Sequence, residues 1–230
     1  MQYSTFAAID IGSYDVILEI FEISKKQGIR SVDKICHRME LGKDTYTLGK
    51  IRPEMEEELC RVLADFVRIM EGYRVDAYRA MASSAISEAA NSLYVLGKIR
   101  QLTGLSVTVL SNSEQRFLGY KALAAMEDNF NKVIEKGTAI LDLDGGSFQI
   151  SLFDKDALVT TQNIRMGSLR VRERLAGIQS ETEHYEEMVE ELIWNEVSSF
   201  KKMYLKDRKI ENIMLIGDVF TDSVYQNIEE

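Results

Sequence analysis

Two short turns carry the residue types that a phosphate-binding site requires. Gly12-Ser13 comes two residues after Asp10, and Gly145-Gly146-Ser147 comes shortly after Asp142. Glycine lets backbone N–H groups converge on an anion without a Cβ in the way, and each serine hydroxyl adds a donor. Either turn alone is typical of an ordinary hairpin. The presence of both, each after an aspartate at a strand end, favours phosphate.

The two aspartates, Asp10 and Asp142, are predicted to end buried strands. A carboxylate in such a place costs free energy unless it is paired, hydrated or bound to metal. Mg²⁺ takes carboxylate and water oxygens and neutralises phosphate charge, so both aspartates are candidate metal ligands. The alternative, that they cap local turns, stays equally open.

Glu114 stands in the segment Ser111-Asn112-Ser113-Glu114, which has the pattern of a helix capping box. This pattern favours a structural role. The same position would also place a carboxylate beside a helix N-terminus, where it could orient an attacking water. A further candidate group contains basic residues near Gly167-Ser168 that could contact a polyanion, although most fit a solvated helix start better: Arg165, Arg170, Arg172 and Arg174.

The elements that must position these residues alternate between strand and helix patterns. Apolar runs predict strands at 6–11, 16–23, 31–39, 77–82, 107–110, 138–143, 148–153, 158–164 and 212–216. Helical spacing predicts helices from Pro53 to Met70, over Ala89, Leu93, Leu96 and Ile99, from Ser111, and from Glu181 to Tyr204. This alternation indicates an α/β fold with largely parallel sheets.

The second half of the chain repeats the opening of the first. Asp10-Ile11-Gly12-Ser13 and Asp142-Leu143-Asp144-Gly145-Gly146-Ser147 are each a strand end, an acid, a glycine turn and a hydroxyl. We therefore predict a duplicated fold, with an N-terminal lobe over 1–125, a C-terminal lobe over 126–230, and the two turns facing each other across a cleft.

Composition excludes several classes of protein. The 230 residues carry a formal net charge of -9, which argues against general nucleic-acid binding. No apolar run approaches the roughly 20 residues needed to span a bilayer, and no signal peptide pattern opens the chain, so we expect no membrane partner. Cys36 and Cys60 fit no metal or redox spacing, and we expect a cytoplasmic location. Whether the chain forms a homodimer stays open.

Taken in order, these segments resemble the exopolyphosphatase / guanosine pentaphosphate phosphatase family of the actin-like ATPase superfamily. The family's Asp-x-Gly-Ser motif matches Asp10 to Ser13, and its Ala-Thr-Ser-Ala-Leu-Arg-Glu-Ala segment matches Ala82 to Ala89. Its Glu-Ala-Arg motif matches Glu114-Gln115-Arg116, and its second glycine loop matches Asp142 to Ser147. The match runs almost from end to end.

The resemblance implies a duplicated actin-like (ribonuclease H-like) fold and a phosphohydrolase acting on polyphosphate or a phosphorylated guanosine nucleotide. Glu114 would orient the attacking water, and Asp142 would assist it or bind Mg²⁺ together with Asp10. The phosphates would rest on Gly12 and Ser13 and on the backbone of the second turn, Gly145-Gly146-Ser147.

Four departures from the family pattern weaken the expected site: three act against phosphate, and the fourth, at residues 217–218, weakens a nucleoside pocket. Ser87 replaces the arginine of the Ala-Leu-Arg segment, Tyr14-Asp15 follows the first turn, Asp144 replaces the first glycine of the second loop, and Gly217-Asp218 replaces a Gly-Gly pair. Three of these changes remove positive or add negative charge. The alternative function is therefore a catalytically impaired member that binds a nucleotide or polyphosphate, or acts as a regulatory protein. Relatives carry a further helical extension, so completeness of the chain also stays open.

Overall fold

The computed structural model describes residues 3–126, 130–179, 184–206, 208–217 and 224–227. The chain divides into two compact units, residues 1–115 and 116–230. The boundary falls inside one helix, and the predicted lobe boundary between residues 125 and 126 lies near the end of the same helix. Each unit is built around one five-stranded sheet.

The sheet of the first unit has the strand order β3-β2-β1-β4-β5. The first three strands form an antiparallel meander, and β4 and β5 extend the sheet in parallel from β1. Its strands are β1 (Ser4–Ile11), β2 (Asp15–Ser24), β3 (Gly28–Arg38), β4 (Ala77–Ala82) and β5 (Val107–Val109).

Four helices accompany this sheet: α1 (Leu41–Leu48), α2 (Pro53–Tyr73), α3 (Ser84–Ser87) and α4 (Ser92–Thr103). Pro53 at the first helical position suits a helix start because its missing N–H would have no intrahelical acceptor there. Alternate residues of β1, such as Ile9, pack with Leu63 of α2 and Ile99 of α4 in one buried core. Leu93, predicted on the core face, is instead 87% exposed, because α4 buries Val95 and Ile99.

The second unit has the order β10-β9-β6-β7-β8, so β6 holds the central place that β1 holds in the first unit. Its strands are β6 (Thr138–Leu143), β7 (Phe148–Asp154), β8 (Ala157–Ile164), β9 (Asn212–Ile216) and β10 (Val224–Asn227). Its helices are α5 (Asn112–Met126), α6 (Phe130–Ile134), α7 (Ser168–Gln179) and α8 (Tyr185–Tyr204). Residue 181, where α8 was predicted to begin, lies outside the described residues.

The two sheets confirm the predicted duplication. In each unit the first three strands form a meander, and the fourth strand pairs in parallel with the first. The fifth strands differ: β5 is parallel to its neighbour, and β10 is antiparallel. In both units the glycine turn joins the first strand of the meander to the second. In the described part of the chain, no helix has the length and apolar content that crossing a membrane requires.

Candidate functional site

The first turn is closed by its own backbone. The amide of Gly12 donates to the carbonyl of Asp15 at 2.9 Å. A Cβ on residue 12 would stand 3.0 Å from that same carbonyl oxygen, which is tighter than ordinary contacts. The close approach of the two chain segments therefore explains the glycine at this position.

The hydroxyl of Ser13 is hydrogen-bonded to other side chains of the first unit. Ser13 is only 2% exposed, and its Oγ lies 2.7 Å from the Tyr46 Oη and 3.5 Å from the Ser84 Oγ. Tyr46 and Ser84 are in turn 2.8 Å apart, so three hydroxyls from the first turn, α1 and α3 form one network. Ser84 belongs to the Ala82–Ala89 segment that suggested the family. This network ties the first turn to that segment.

Removing the Tyr46 hydroxyl is expected to loosen the first turn. Tyr46→Phe leaves the ring in place but removes the closest partner of Ser13, and a lost hydrogen bond of this kind costs about 1 kcal/mol of the free energy of unfolding. Urea unfolding measures the change. Tyr3→Phe is the matched control, because Tyr3 is well exposed and has no hydrogen bond in the described part of the chain. Equal stability of the two variants would contradict the network.

The negative charge after the first turn has a cationic neighbour. The Arg38 guanidinium carbon lies 4.2 Å from the centre of the Tyr14 ring, and Arg38 Nη1 lies 3.7 Å from an oxygen of Asp15. The two residues that depart from the family pattern are thus both in contact with one arginine. This contact offsets part of the negative charge that Asp15 adds.

The second turn is held from its carbonyl side by α7. The backbone N–H of Arg170 donates to the Gly145 carbonyl at 3.0 Å, and its Nε donates to the Gly146 carbonyl at 2.9 Å. The Asp144 amide closes the turn on the Ser147 carbonyl, and the Ser168 amide donates to the Asp144 carbonyl. Arg170 was a candidate polyanion contact, and here its Nε holds the turn.

The backbone amides of Gly145 and Gly146 differ from the carbonyls of the same two residues in their hydrogen bonding. Within the described residues, the N–H groups of Gly145 and Gly146 have no hydrogen-bond acceptor. A buried amide without an acceptor costs free energy comparable to a lost hydrogen bond. An anion at this turn would supply the acceptor.

The backbone of Gly167 packs so closely against the second turn that a residue with a Cβ would not fit there. A Cβ on residue 167 would lie 2.3 Å from the Ser147 nitrogen and 2.4 Å from the Asp144 oxygen. Both are backbone atoms, so no side-chain rotation could relieve the overlap. Gly167 is therefore part of the construction of the turn.

The two aspartates have different surroundings. Asp10 was expected to be costly at the end of a buried strand, but it is exposed: β1 buries Ala7, Ile9 and Ile11, and Asp10 projects from the opposite face. Asp142 is half-buried and lies opposite Gln149 of β7. The cost of burial therefore does not argue for metal at Asp10.

A polar cluster occupies the sheet face that carries Asp142. Arg116 of α5 donates to the Thr161 hydroxyl at 3.2 Å, and the Tyr120 hydroxyl donates to Ser151 Oγ at 2.5 Å. Burial raises the pKa of the Tyr120 hydroxyl, and the nearby charge of Asp142 adds to the rise. This places a protonated tyrosine and an arginine near the second predicted carboxylate.

Glu114 forms the capping box that its sequence pattern predicts. Its Oε2 accepts from the Ser111 amide at 2.9 Å and from the Ser111 hydroxyl at 2.8 Å, and the Glu114 amide lies 3.3 Å from that hydroxyl. The hydrogen bond from the Ser111 amide, and to a smaller extent the bond from the Ser111 hydroxyl, holds the pKa of the Glu114 carboxyl below its ordinary value. Glu114 is thus an exposed, ionised carboxylate fixed at the start of α5.

No group of three metal-binding side chains (His, Cys, Asp or Glu) occurs among the described residues. Asp10 and Asp142 stand in different units and each offers a single carboxylate. A single carboxylate suits Mg²⁺, which proteins often hold through one or two carboxylates together with waters and substrate phosphates, so each aspartate by itself is a possible ligand. A concavity of about 910 Å³ lies elsewhere, at the β2–β3 hairpin around Lys25 and Lys26, and includes neither glycine turn.

Several residues around the two turns and in the polar cluster near Asp142 were not predicted as site residues: Tyr46, Ser84, Gly167, Tyr120, Ser151 and Thr161. A signal existed for four of them. Ser84 and Gly167 lie in segments that resemble family motifs. Ser151 and Thr161 are polar positions on strands otherwise rich in apolar residues, and their register places them side by side. Tyr46 carried no local signal, because its partner Ser13 is distant in the chain.

The repeated sheet with a glycine turn after each first strand defines an actin-like α/β fold. The model of the Ppx/GppA phosphatase family matches residues 19–230. The chain therefore belongs to the Ppx/GppA phosphatase family. The matched range includes the second turn and begins after the first.

Individual relatives are distant. The chain is 21% identical to the bifunctional 3-dehydroquinate synthase/phosphatase of Fusobacterium nucleatum, over 97% of this chain and 34% of that protein. It is 25% identical to exopolyphosphatase 1 of Mycobacterium leprae, over 62% of this chain and 41% of that protein. The chain thus matches less than half the length of each of these relatives. The crystal structure of the Aquifex aeolicus Ppx/GppA family member shares the fold, with a TM-score of 0.67, 22% identity, and coverage of 94% of this chain and 66% of that one.

Proposed function

We propose that the chain is a phosphohydrolase that releases orthophosphate from the end of inorganic polyphosphate or from guanosine pentaphosphate. Membership in the Ppx/GppA phosphatase family supports this reaction class. The observation that carries the proposal is the second turn, where Arg170 holds the carbonyls of Gly145 and Gly146 and their buried amides have no acceptor in the described part of the chain. Phosphate oxygens are the acceptors that such a nest of amides binds.

In this proposal, the amides of Gly145, Gly146 and Ser147 bind phosphate in the second unit, and the backbone of Gly12-Ser13 binds phosphate in the first. Because the Ser13 hydroxyl bonds to Tyr46, its amide is the group available to the ligand. Glu114, ionised and fixed by Ser111, orients a water towards the terminal phosphorus. The P–O bond to the leaving phosphate breaks as the water oxygen bonds to phosphorus, and Glu114 accepts the proton that the water loses.

In this proposal, Asp142 in the second unit and Asp10 in the first are each a ligand that Mg²⁺ would take. The ion, when bound, supplies charge neutralisation on the phosphate oxygens. Stabilisation of that charge is most of what a phosphoryl-transfer site must provide. Arg116 and Tyr120, which bond to Thr161 and Ser151, lie on the sheet face that carries Asp142, and the charge of Asp142 is felt by Tyr120.

A direct test is the release of orthophosphate from each substrate, measured by malachite green with and without Mg²⁺. We expect turnover with Mg²⁺ and its loss in EDTA, and the preferred substrate identifies the physiological class. Binding of either substrate without turnover would overturn the hydrolase and support the second candidate, a non-catalytic binding or regulatory member. Ser87 and Asp144, which remove a donor and add a negative charge, favour that second candidate.

Restoring the family's arginine at residue 87 distinguishes a site with weakened activity from a site with none. Ser87 is exposed at the end of α3, so Ser87→Arg adds a donor without disturbing the core. A charge-assisted bond to phosphate of ordinary strength would raise kcat/KM roughly tenfold. Ala90→Arg adds the same charge at an exposed position three residues later and is the control. If the two variants had equal activity, the gain would be a general effect of charge.

A further inference from the structure

The end of β3 places an arginine beside the first turn. Arg38 is the last residue of β3 and pairs with Asp15, the residue with which β2 begins after the turn. The segment that follows Arg38 is also bonded to the turn, because the Tyr14 carbonyl accepts the amides of Met39 and Glu40 at 2.9 Å and 2.8 Å. The backbone of Arg38 is therefore fixed next to the amides that are proposed to bind phosphate in the first unit.

The guanidinium of Arg38 has only weak contacts. Its carbon lies 4.2 Å from the centre of the Tyr14 ring, and its two terminal nitrogens lie 3.7 Å from carboxylate oxygens of Asp15 and Glu40. A distance of 3.7 Å is too long for a hydrogen bond, and ion pairs of a side chain that is 61% exposed contribute little to stability. Among the described residues, none accepts a hydrogen bond from the side-chain N–H groups of Arg38. These donors are open to an acceptor from outside the chain.

Arg38 lies on the same sheet face as Asp10. Because Asp15 and Arg38 are a direct cross-strand pair, their side chains share one face of the sheet. Asp10 pairs with Ile17, two residues after Asp15, and side chains two positions apart on a strand point to the same face. The sheet face beside the first turn therefore carries both a candidate Mg²⁺ ligand and a cationic side chain.

A phosphate group suits the open donors of Arg38. The guanidinium is a planar fork that donates two parallel N–H groups to phosphate oxygens and stays charged at neutral pH. Ser87 stands where the family pattern has an arginine, and Asp15 and Glu40 repel an anion. Arg38 thus supplies, from a different strand, the kind of donor that residue 87 lacks.

We propose that Arg38 is a substrate-binding residue of the first turn, which donates two N–H groups to a phosphate bound there. This inference rests on the proposed function, from which it takes the phosphate at Gly12-Ser13. The phosphate oxygens replace the distant carboxylates of Asp15 and Glu40 as partners of the guanidinium. Stacking on Tyr14 already restricts the guanidinium in the free protein, which lowers the entropic cost of binding.

Binding is measured by isothermal titration calorimetry on the whole chain in Mg²⁺. The probe is a tripolyphosphate analogue with methylene groups in place of the bridging oxygens, which excludes hydrolysis. Arg38→Gln should weaken binding roughly tenfold or more, the effect of one charge-assisted bidentate contact. Arg30→Gln is the matched control and should bind normally, because Arg30 lies near the other end of β3, is 65% exposed and also pairs with a carboxylate, that of Glu22. Equal affinity of the two variants, or no binding by the unaltered chain, would overturn the inference.

Arg38→Lys separates a direct contact from a general effect of charge. Lysine keeps the positive charge but cannot donate two parallel N–H groups, so it should recover only part of the affinity that Arg38→Gln loses. Full recovery by lysine would refute the contact, since charge alone would then be sufficient. Circular dichroism confirms that each variant is folded.

Phosphate release, measured by malachite green, separates this inference from the proposed function. Turnover by the unaltered chain with the same kcat/KM in Arg38→Gln would refute the role of Arg38 and leave the hydrolase standing. Binding of the analogue that depends on Arg38, without turnover of either substrate, would refute the hydrolase and leave the role of Arg38 standing.

Discussion

A chain with alanine in place of Gly167 is expected to lose the shape of the second turn and, with it, phosphate release. The added Cβ would lie 2.3 Å from the Ser147 nitrogen and 2.5 Å from the Gly145 carbonyl carbon. Since both contacts are with backbone, the turn itself must move. Overlap of this kind in a packed region destabilises a protein by about 1–3 kcal/mol. Urea unfolding and the malachite-green assay measure the two effects.

The matched control lies ten residues further along the chain, inside α7, whose first residue follows Gly167. Among the described residues, a Cβ on Gly177 of α7 meets nothing within 4 Å apart from its own helix backbone, so Gly177→Ala should leave activity unchanged and stabilise the helix by up to about 1 kcal/mol. The two variants make the same chemical change, one just before the start of α7 and one inside it. If Gly167→Ala behaved like Gly177→Ala in both assays, the close packing of residue 167 on the second turn would be refuted.

The strands that carry the two turns were predictable because their signal is local. Both central strands are short apolar runs that end in an acid and a glycine, and the predicted limits of β4, β6 and β9 agree with the structure. The repetition of strand, acid and glycine turn in the second half of the chain then predicted the duplication. The shared strand order of the two sheets confirms it.

The surroundings of the turns were less predictable because they depend on contacts between distant segments. Tyr46 bonds to Ser13 across 33 residues, and Arg170 reaches Gly146 across 24. Helical spacing put Leu93 on the core face, whereas the direction in which α4 packs leaves it in solvent. Asp10 was expected to be costly, whereas the alternation of β1 places it on an exposed face. In each case the sequence pattern predicted the helix or strand, whereas tertiary packing determined which of its residues are exposed.

Glu114 combines a structural and a proposed catalytic role, which two substitutions separate. Ser111→Ala removes both side-chain bonds of the capping box that use the serine hydroxyl but keeps the carboxylate. We expect it to lower the free energy of unfolding by about 1 kcal/mol with phosphate release largely kept. Because the pKa of Glu114 is lowered in the folded chain, its contribution to stability is present above the ordinary carboxyl pKa and is lost as pH falls through the lowered value.

Glu114→Gln is expected to keep the stability of the fold and to lower phosphate release. Glutamine still accepts the Ser111 amide, so the cap and the fold are kept. It cannot accept a proton from the attacking water, so phosphate release should fall roughly 100- to 10,000-fold, the usual contribution of a general base. The comparison is decisive because both changes affect one hydrogen-bonded pair: a large loss of activity in Ser111→Ala and none in Glu114→Gln would assign Glu114 to the cap alone. Turnover, if any, would then depend on groups other than this carboxylate.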